Sequence, residues 1–150
     1  MTLAARSVLG SGDGTKFKVG PDTMTAKVMS PDDHFSLVEC ESIPGIPGPP
    51  LHVHHGNEEV FFILDGVVDF SLEGTTTRVG RGACVHVPKG KAHTFVNAGM
   101  TNARWVGIFA PGRYQGLVEE LGSILPPDGP PDPAKLAVVF TKWDTELVKA

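Results

Sequence analysis

Between residues 17 and 109 the chain consists of short runs in which apolar and polar residues alternate, or in which β-branched and aromatic residues cluster. Gly, Pro, Asn or Asp bound each run, the mark of strands joined by tight turns. The pattern predicts strands at Phe17–Val19, Thr25–Met29, Phe35–Ser42, Leu51–His54, Glu59–Leu64, Val67–Leu72, Thr75–Val79, Ala83–Val87, His93–Asn97 and Ala103–Phe109. Asp65–Gly66 and Glu73–Gly74 read as hairpin turns. Pro44–Pro50, P-G-I-P-G-P-P, is neither helix nor inner strand and is expected as a loop. Residues 1–16 read as a loose polar arm.

After Pro111 the period changes. Tyr114, Leu117, Val118, Leu121 and Ile124 recur at helical spacing, which predicts a helix over 113–124. Leu125–Pro133, L-P-P-D-G-P-P-D-P, is a rigid loop or linker. Pro133–Phe140 and Thr141–Val148 are expected as a small helical tail. A run of strands with no helix between them favours an antiparallel sandwich or barrel, because parallel strands need long crossovers. The expectation is an all-β fold in a single domain over 1–150, with the barrel at 15–110 and a helical appendage at 111–150.

Composition narrows the function. Eighteen glycines and thirteen prolines in 150 residues exclude a helical bundle, and a hydrophobic share of 41% argues against disorder. The net charge is −4 with no basic run, which points away from nucleic acid and from anionic membranes. The apolar runs, such as Val60–Leu64, are far too short to span a bilayer. The first fourteen residues carry one Arg and no apolar stretch, so no secretion signal is expected. Cys40 and Cys84 do not make a disulfide framework and read as reduced thiols of a cytoplasmic protein. Cys84, within A-C-V-H-V, is expected as a small core residue.

Five of the six histidines, His52, His54, His55, His86 and His93, fall within residues 52–93. In H-V-H at 52–54, strand alternation sends His52 and His54 to one face. On the next strand Glu59, Phe61 and Ile63 share a face. His93 opens another strand, with Phe95 and Asn97 on its face. Three imidazoles and one carboxylate form a ligand set for a divalent first-row metal. In an octahedral arrangement such a set leaves positions for water, substrate or dioxygen.

These residues also match a family. Residues 48–66 read G-P-P-L-H-V-H-H-G-N-E-E-V-F-F-I-L-D-G, and residues 82–97 read G-A-C-V-H-V-P-K-G-K-A-H-T-F-V-N. The first resembles cupin motif one, at Gly48, His52 or His54, Glu59 and Gly66. The second resembles cupin motif two, at Gly82, Pro88, Gly90, His93 and Asn97. The wider frame, including A-P-G-R-Y-Q-G-L at 110–117, is similar to small single-domain cupins of the quercetin-dioxygenase-like group. The resemblance implies a double-stranded β-helix, a jelly-roll barrel, holding one divalent transition metal (Fe, Mn, Ni or Zn) on His52, His54, Glu59 and His93. Glu59, with four residues between it and His54 and six before Gly66, has the family's spacing. Its neighbour Glu58 is left as a solvated residue, or as an acceptor for the free ring N–H of a ligand histidine.

The remaining candidates are fewer. His34 and His55 read as surface residues. His86 is either an acid–base group lining the pocket or a hydrogen-bonded residue at the barrel rim, and is carried with Glu59 as a catalytic candidate. Phe61, Ile63 and Phe95 are expected to wall a substrate pocket, with Tyr114 and its helix capping the mouth or packing outside. Gly66, Gly82 and Gly90 are expected as turn residues, and Asn97 as a turn brace. The resemblance implies a metal-dependent oxygenase of a small aromatic or polyphenol-like compound. The alternatives are a non-redox cyclase, isomerase or lyase with Zn²⁺ as Lewis acid, or a non-catalytic small-molecule binding domain. The partner expected is a small-molecule substrate. A homodimer is also expected, since the N-terminal strands leave sheet edges to cover.

Overall fold

In the computed structural model, which describes residues 8–29 and 33–149, eleven strands form two antiparallel sheets. The strands are β1 (Thr15–Val19), β2 (Asp22–Met29), β3 (Ser36–Ser42), β4 (His52–His54), β5 (Glu58–Asp65), β6 (Val67–Leu72), β7 (Thr75–Gly80), β8 (Cys84–Val87), β9 (His93–Asn97), β10 (Ala103–Ala110) and β11 (Thr145–Leu147). One sheet runs β1-β2-β3-β10-β5-β8 and the other β11-β4-β9-β6-β7. Consecutive strands cross repeatedly between the sheets, the topology of a jelly roll. The ten strands expected from the pattern are all present. The first seven residues of the expected N-terminal arm lie outside the described residues, and residues 8–14 form no regular element.

Two turn expectations separate here. Glu73–Gly74 is a hairpin: β6 pairs with β7, Leu72 faces Thr75, and both turn residues take positive φ (50° and 80°). Asp65–Gly66 is not. β5 is already flanked by β10 and β8, so it has no free edge for β6, and the chain bends at Gly66 (φ 80°) into the other sheet. Asn97 braces the β9–β10 turn as expected: its Nδ2 donates to the carbonyls of Ser42 and Thr101, and its Oδ1 accepts from Gly99 N–H, each at 2.9 Å.

The barrel core packs Cys40, Phe61, Ile63, Val68, Phe70, Val87, Ala103 and Trp105. Phe61, Phe70 and Phe95 stack with centroids 4.9–5.3 Å apart, and Trp105 meets Phe95 edge-on at 5.6 Å. A 3-10 turn (Gly112–Tyr114) leads into α1 (Gln115–Ile124), and α2 follows at Pro133–Lys142. α1 stops where Leu125 turns extended before Pro126. α2 starts at Pro133 because Asp132 caps it, accepting from the N–H groups of Ala134 (2.9 Å) and Lys135 (3.4 Å). The helices bury Leu117, Leu136, Val139 and Phe140 against one another. Glu120 ties them by accepting from Lys142 Nζ and Trp143 Nε1, each at 2.8 Å. Among the described residues, no helix is long and apolar enough to cross a membrane.

The tail corrects its expectation. Thr141–Val148 is not helical throughout: α2 ends at Lys142, and residues 145–147 form β11, pairing with β4 in the register Thr145↔His54 and Leu147↔His52. The local sequence T-E-L carries no strand signal of its own. The unpaired edge of β4 supplies it.

Gly48 is needed for another reason than its φ. A Cβ there would collide with the backbone carbonyl of Phe95 on β9. Gly48→Ala is therefore expected to push the 44–50 loop off the sheet and cost about 3 kcal/mol, the high end of overpacking. Urea unfolding of the variant against wild type checks this; a change under about 0.5 kcal/mol would show that the loop yields freely.

Candidate metal centre

Four donors converge as strand alternation requires. β4 places His52 and His54 inward, Glu59 comes from β5, and His93 opens β9 directly opposite His52. Their donor atoms all lie within 4.8 Å of one another, and all four residues are buried. The imidazole centroids are 4.2–5.3 Å apart. Glu59 stands 2.8 Å from Nε2 of His93 and 3.5 Å from Nε2 of His54.

Hydrogen bonds orient the rings. Nδ1 of His52 donates to the Pro50 carbonyl at 2.7 Å, and Nδ1 of His93 donates to the Lys91 carbonyl at 3.0 Å. Nδ1 of His54 lies 2.8 Å from Thr145 Oγ1. Each Nδ1 is thus committed, and each Nε2 is turned to the shared centre, the arrangement that presents ring lone pairs to a metal. The donor set fits a divalent first-row metal: three imidazoles, one carboxylate and, among the described residues, no lysine or arginine to neutralise Glu59 from outside the cluster.

Charge follows burial. Burial pushes His52 down from 6.5 to about 3, helped by His93 and His54. Burial also lowers His54, against the pull of Glu59. For Glu59, burial alone would raise the carboxyl, but the hydrogen bond from His93 and the three imidazoles outweigh it and hold it below its ordinary value. Burial likewise opposes a charge on His93, and the hydrogen bond and charge of Glu59, with the Lys91 carbonyl, overcome it and raise the ring. The two directions have one geometric cause, the 2.8 Å contact between His93 Nε2 and Glu59 Oε2.

Beside the cluster opens a cavity of about 810 Å³. His52, His54 and Glu59 reach its wall, with His93 buried behind them. Phe61, Phe95 and Trp105 form the barrel side, and Leu117, Leu121 and Phe140 the helical side. Residues of both Pro-rich segments, at 46–50, 126–131 and 133, also line the cavity. No Lys or Arg among the described residues lines it, and its only carboxylates outside the cluster are Asp22 and Asp128.

Residues 38–109 match the family model of the cupin domain. That stretch is a cupin domain. Over 90 residues the chain is 30% identical to quercetin 2,3-dioxygenase of Bacillus subtilis strain 168, covering 59% of this chain but 26% of that protein, so it spans about a quarter of that relative's length. Among solved structures, KdgF from Halomonas sp. superposes with a TM-score of 0.66 at 17% identity, over 74% of this chain and 98% of that one. The polyketide cyclase RemF from Streptomyces resistomycificus superposes with a TM-score of 0.59 at 25% identity, over 70% of this chain and 79% of that one.

Within the cupin domain, the other candidates divide. Phe61 and Phe95 line the cavity, as expected. Ile63 does not: it lies two residues further along β5, fully buried in the aromatic core. Tyr114 neither lines nor caps the cavity; it is buried behind His54 with Val38 and Phe109, and the capping falls to α1. His86 faces outward on β8, half exposed, with Nε2 2.8 Å from Glu58 Oε2. The inward face of β8 belongs to Val87, so His86 is no pocket acid–base group, and Glu58 serves His86 rather than a ligand histidine. Cys84 shares that outward face and is exposed, not core, whereas Cys40 is buried; both are free thiols. His34 and His55 are exposed, as expected.

The helix after Tyr114 lines the cavity, one of its two expected placements, whereas Thr145 and Phe140 were missed. Phe140 meets the ring of His52 at 5.8 Å, and Thr145 reaches His54 from 91 residues away. No local signal marks either residue. The pairing of β11 with β4 is what brings them in.

The neutral state of His52 has a measurable consequence. Below about 6.5 the unfolded chain protonates this ring, and the folded protein refuses the proton until about 3. Stability is complete above that window and falls as pH is lowered through it, by about 1.4 kcal/mol per pH unit for one proton. Chelator-treated His52→Gln is expected to lose stability less steeply than wild type between pH 6.5 and 5 in urea unfolding. Parallel slopes would show that His52 titrates freely in the fold.

Proposed function

We propose that this chain is a metal-dependent oxygenase acting on a small aromatic, polyphenol-like compound. The observation that carries the reading is the apolar cavity that ends on His52, His54 and Glu59. Such a cavity accommodates a flat, uncharged ring system, and no cationic side chain among the described residues lines it to bind an anionic sugar phosphate or dicarboxylate. The identity to part of quercetin 2,3-dioxygenase supports the same substrate class.

His52, His54, Glu59 and His93 are the residues that would hold the metal. A divalent metal there supplies Lewis acidity and, if redox-active, access to dioxygen. Glu59 sits where cluster and cavity meet, and there it accepts the proton of a substrate hydroxyl. The phenylalanines of β5 and β9 hold the ring plane, and the Pro-rich segments restrict water at the opening.

A second reading has its own support. The likeness to the polyketide cyclase RemF, at 25% identity, fits non-redox ring closure at the same cluster. Oxygen uptake separates the two, since ring closure consumes none.

Protein reconstituted with Fe, Mn, Ni or Co is expected to consume oxygen with a catechol or flavonol from a substrate panel. Glu59→Gln is expected to lower that rate at least about a hundredfold. No uptake under any metal overturns the oxygenase. The double variant His52→Ala, His54→Ala is expected to lose bound metal by elemental analysis, and full occupancy there would overturn the ligand assignment.

A further inference from the structure

We propose that Thr145, on the C-terminal strand, is the positioning residue that sets the ring of His54. The other two cluster histidines are oriented from within the barrel. His52 and His93 each donate Nδ1–H to a carbonyl two residues earlier in the chain, at Pro50 and Lys91. His54 has no such carbonyl. Its Nδ1 meets the hydroxyl of Thr145 at 2.8 Å, on a strand outside residues 38–109.

The direction of this bond follows from the next one. Thr145 Oγ1 donates to the Trp143 carbonyl at 3.1 Å, so its hydrogen is spent and its lone pairs face His54. His54 must then donate, which puts its proton on Nδ1 and leaves Nε2 bare toward the cluster. The register supports the geometry: Thr145 is paired directly with His54, and side chains of paired residues stand on the same face. Thr145 is 6% exposed, so water does not readily replace it. Without the hydroxyl, the ring gains by moving its proton to Nε2, where Glu59 Oε1 lies 3.5 Å away as an acceptor. That tautomer would block the nitrogen a metal needs.

The effect on metal affinity rests on the metal-centre reading above; the effect on the ring does not. The test therefore has two parts. The first uses chelator-treated protein labelled with ¹⁵N-histidine, in which long-range N–H correlation spectra report the tautomer of His54. Wild type and Thr145→Ser are expected to show Nδ1–H. Thr145→Val, which keeps the β-branched shape of the strand residue, is expected to shift to Nε2–H. Thr145→Ala gives the same readout if valine disturbs β11, which far-ultraviolet circular dichroism and Trp143 fluorescence monitor. The second part measures Zn²⁺ and Co²⁺ affinity by chelator competition. A loss of about tenfold to a hundredfold is expected in Thr145→Val, with recovery in Thr145→Ser. Nδ1–H retained in both folded Val and Ala variants would overturn the proposal. A shifted tautomer with no metal bound even by wild type would sustain the role of Thr145 and overturn the metal centre.

Discussion

The structure turns on one buried carboxylate. Glu59 sits inside the barrel with no lysine or arginine among the described residues against it, and such a group is tolerated only if its neighbours satisfy it. His93 meets it at 2.8 Å, and the Nδ1 of each of the three clustered rings is held by an oxygen on the far side. The constraint reaches outward from there. The strands must alternate so that the four donors meet, the 44–50 loop must close over β9, and the C-terminal strand must dock on β4.

The appendage is therefore part of the centre. It contributes the Thr145 hydroxyl behind His54, the Phe140 ring beside His52 and the apolar wall of the cavity. Its attachment is correspondingly firm. Glu120 binds the end of α2 to α1, and Trp143 packs so closely on Gly116 that any side chain there would collide with it. The cavity is thus shared: the cluster belongs to the barrel strands, and the facing wall comes from the two helices.

The outward side of the same strands shows the same logic in reverse. Glu58 and His86 stand on β5 and β8 next to inward-facing Glu59 and Val87, and pair with each other in solvent. Adjacent glutamates thus have unrelated roles because the strand period is two. An exposed pair of this kind adds little stability.

The chain by itself determined ten of the eleven strands, the shared face of His52 and His54, and the choice of Glu59 over Glu58. These depend on periods of a few residues and on turn formers, which are local. The convergence of His52, His54, Glu59 and His93 was legible too, because its members belong to two compact motifs. Long-range pairing decided the rest. Two residues beyond Phe61 on the same face, Ile63 fell in the core rather than the cavity, the saturated edges of β5 made Asp65–Gly66 a crossover, and the free edge of β4 made a strand of T-E-L. Which face of β8 turns inward, and hence the dismissal of His86, depends on its register with β5. Thr145 came to His54 only through tertiary structure, because a strand edge recruits whatever segment can pair with it, and no pattern near residue 145 records that.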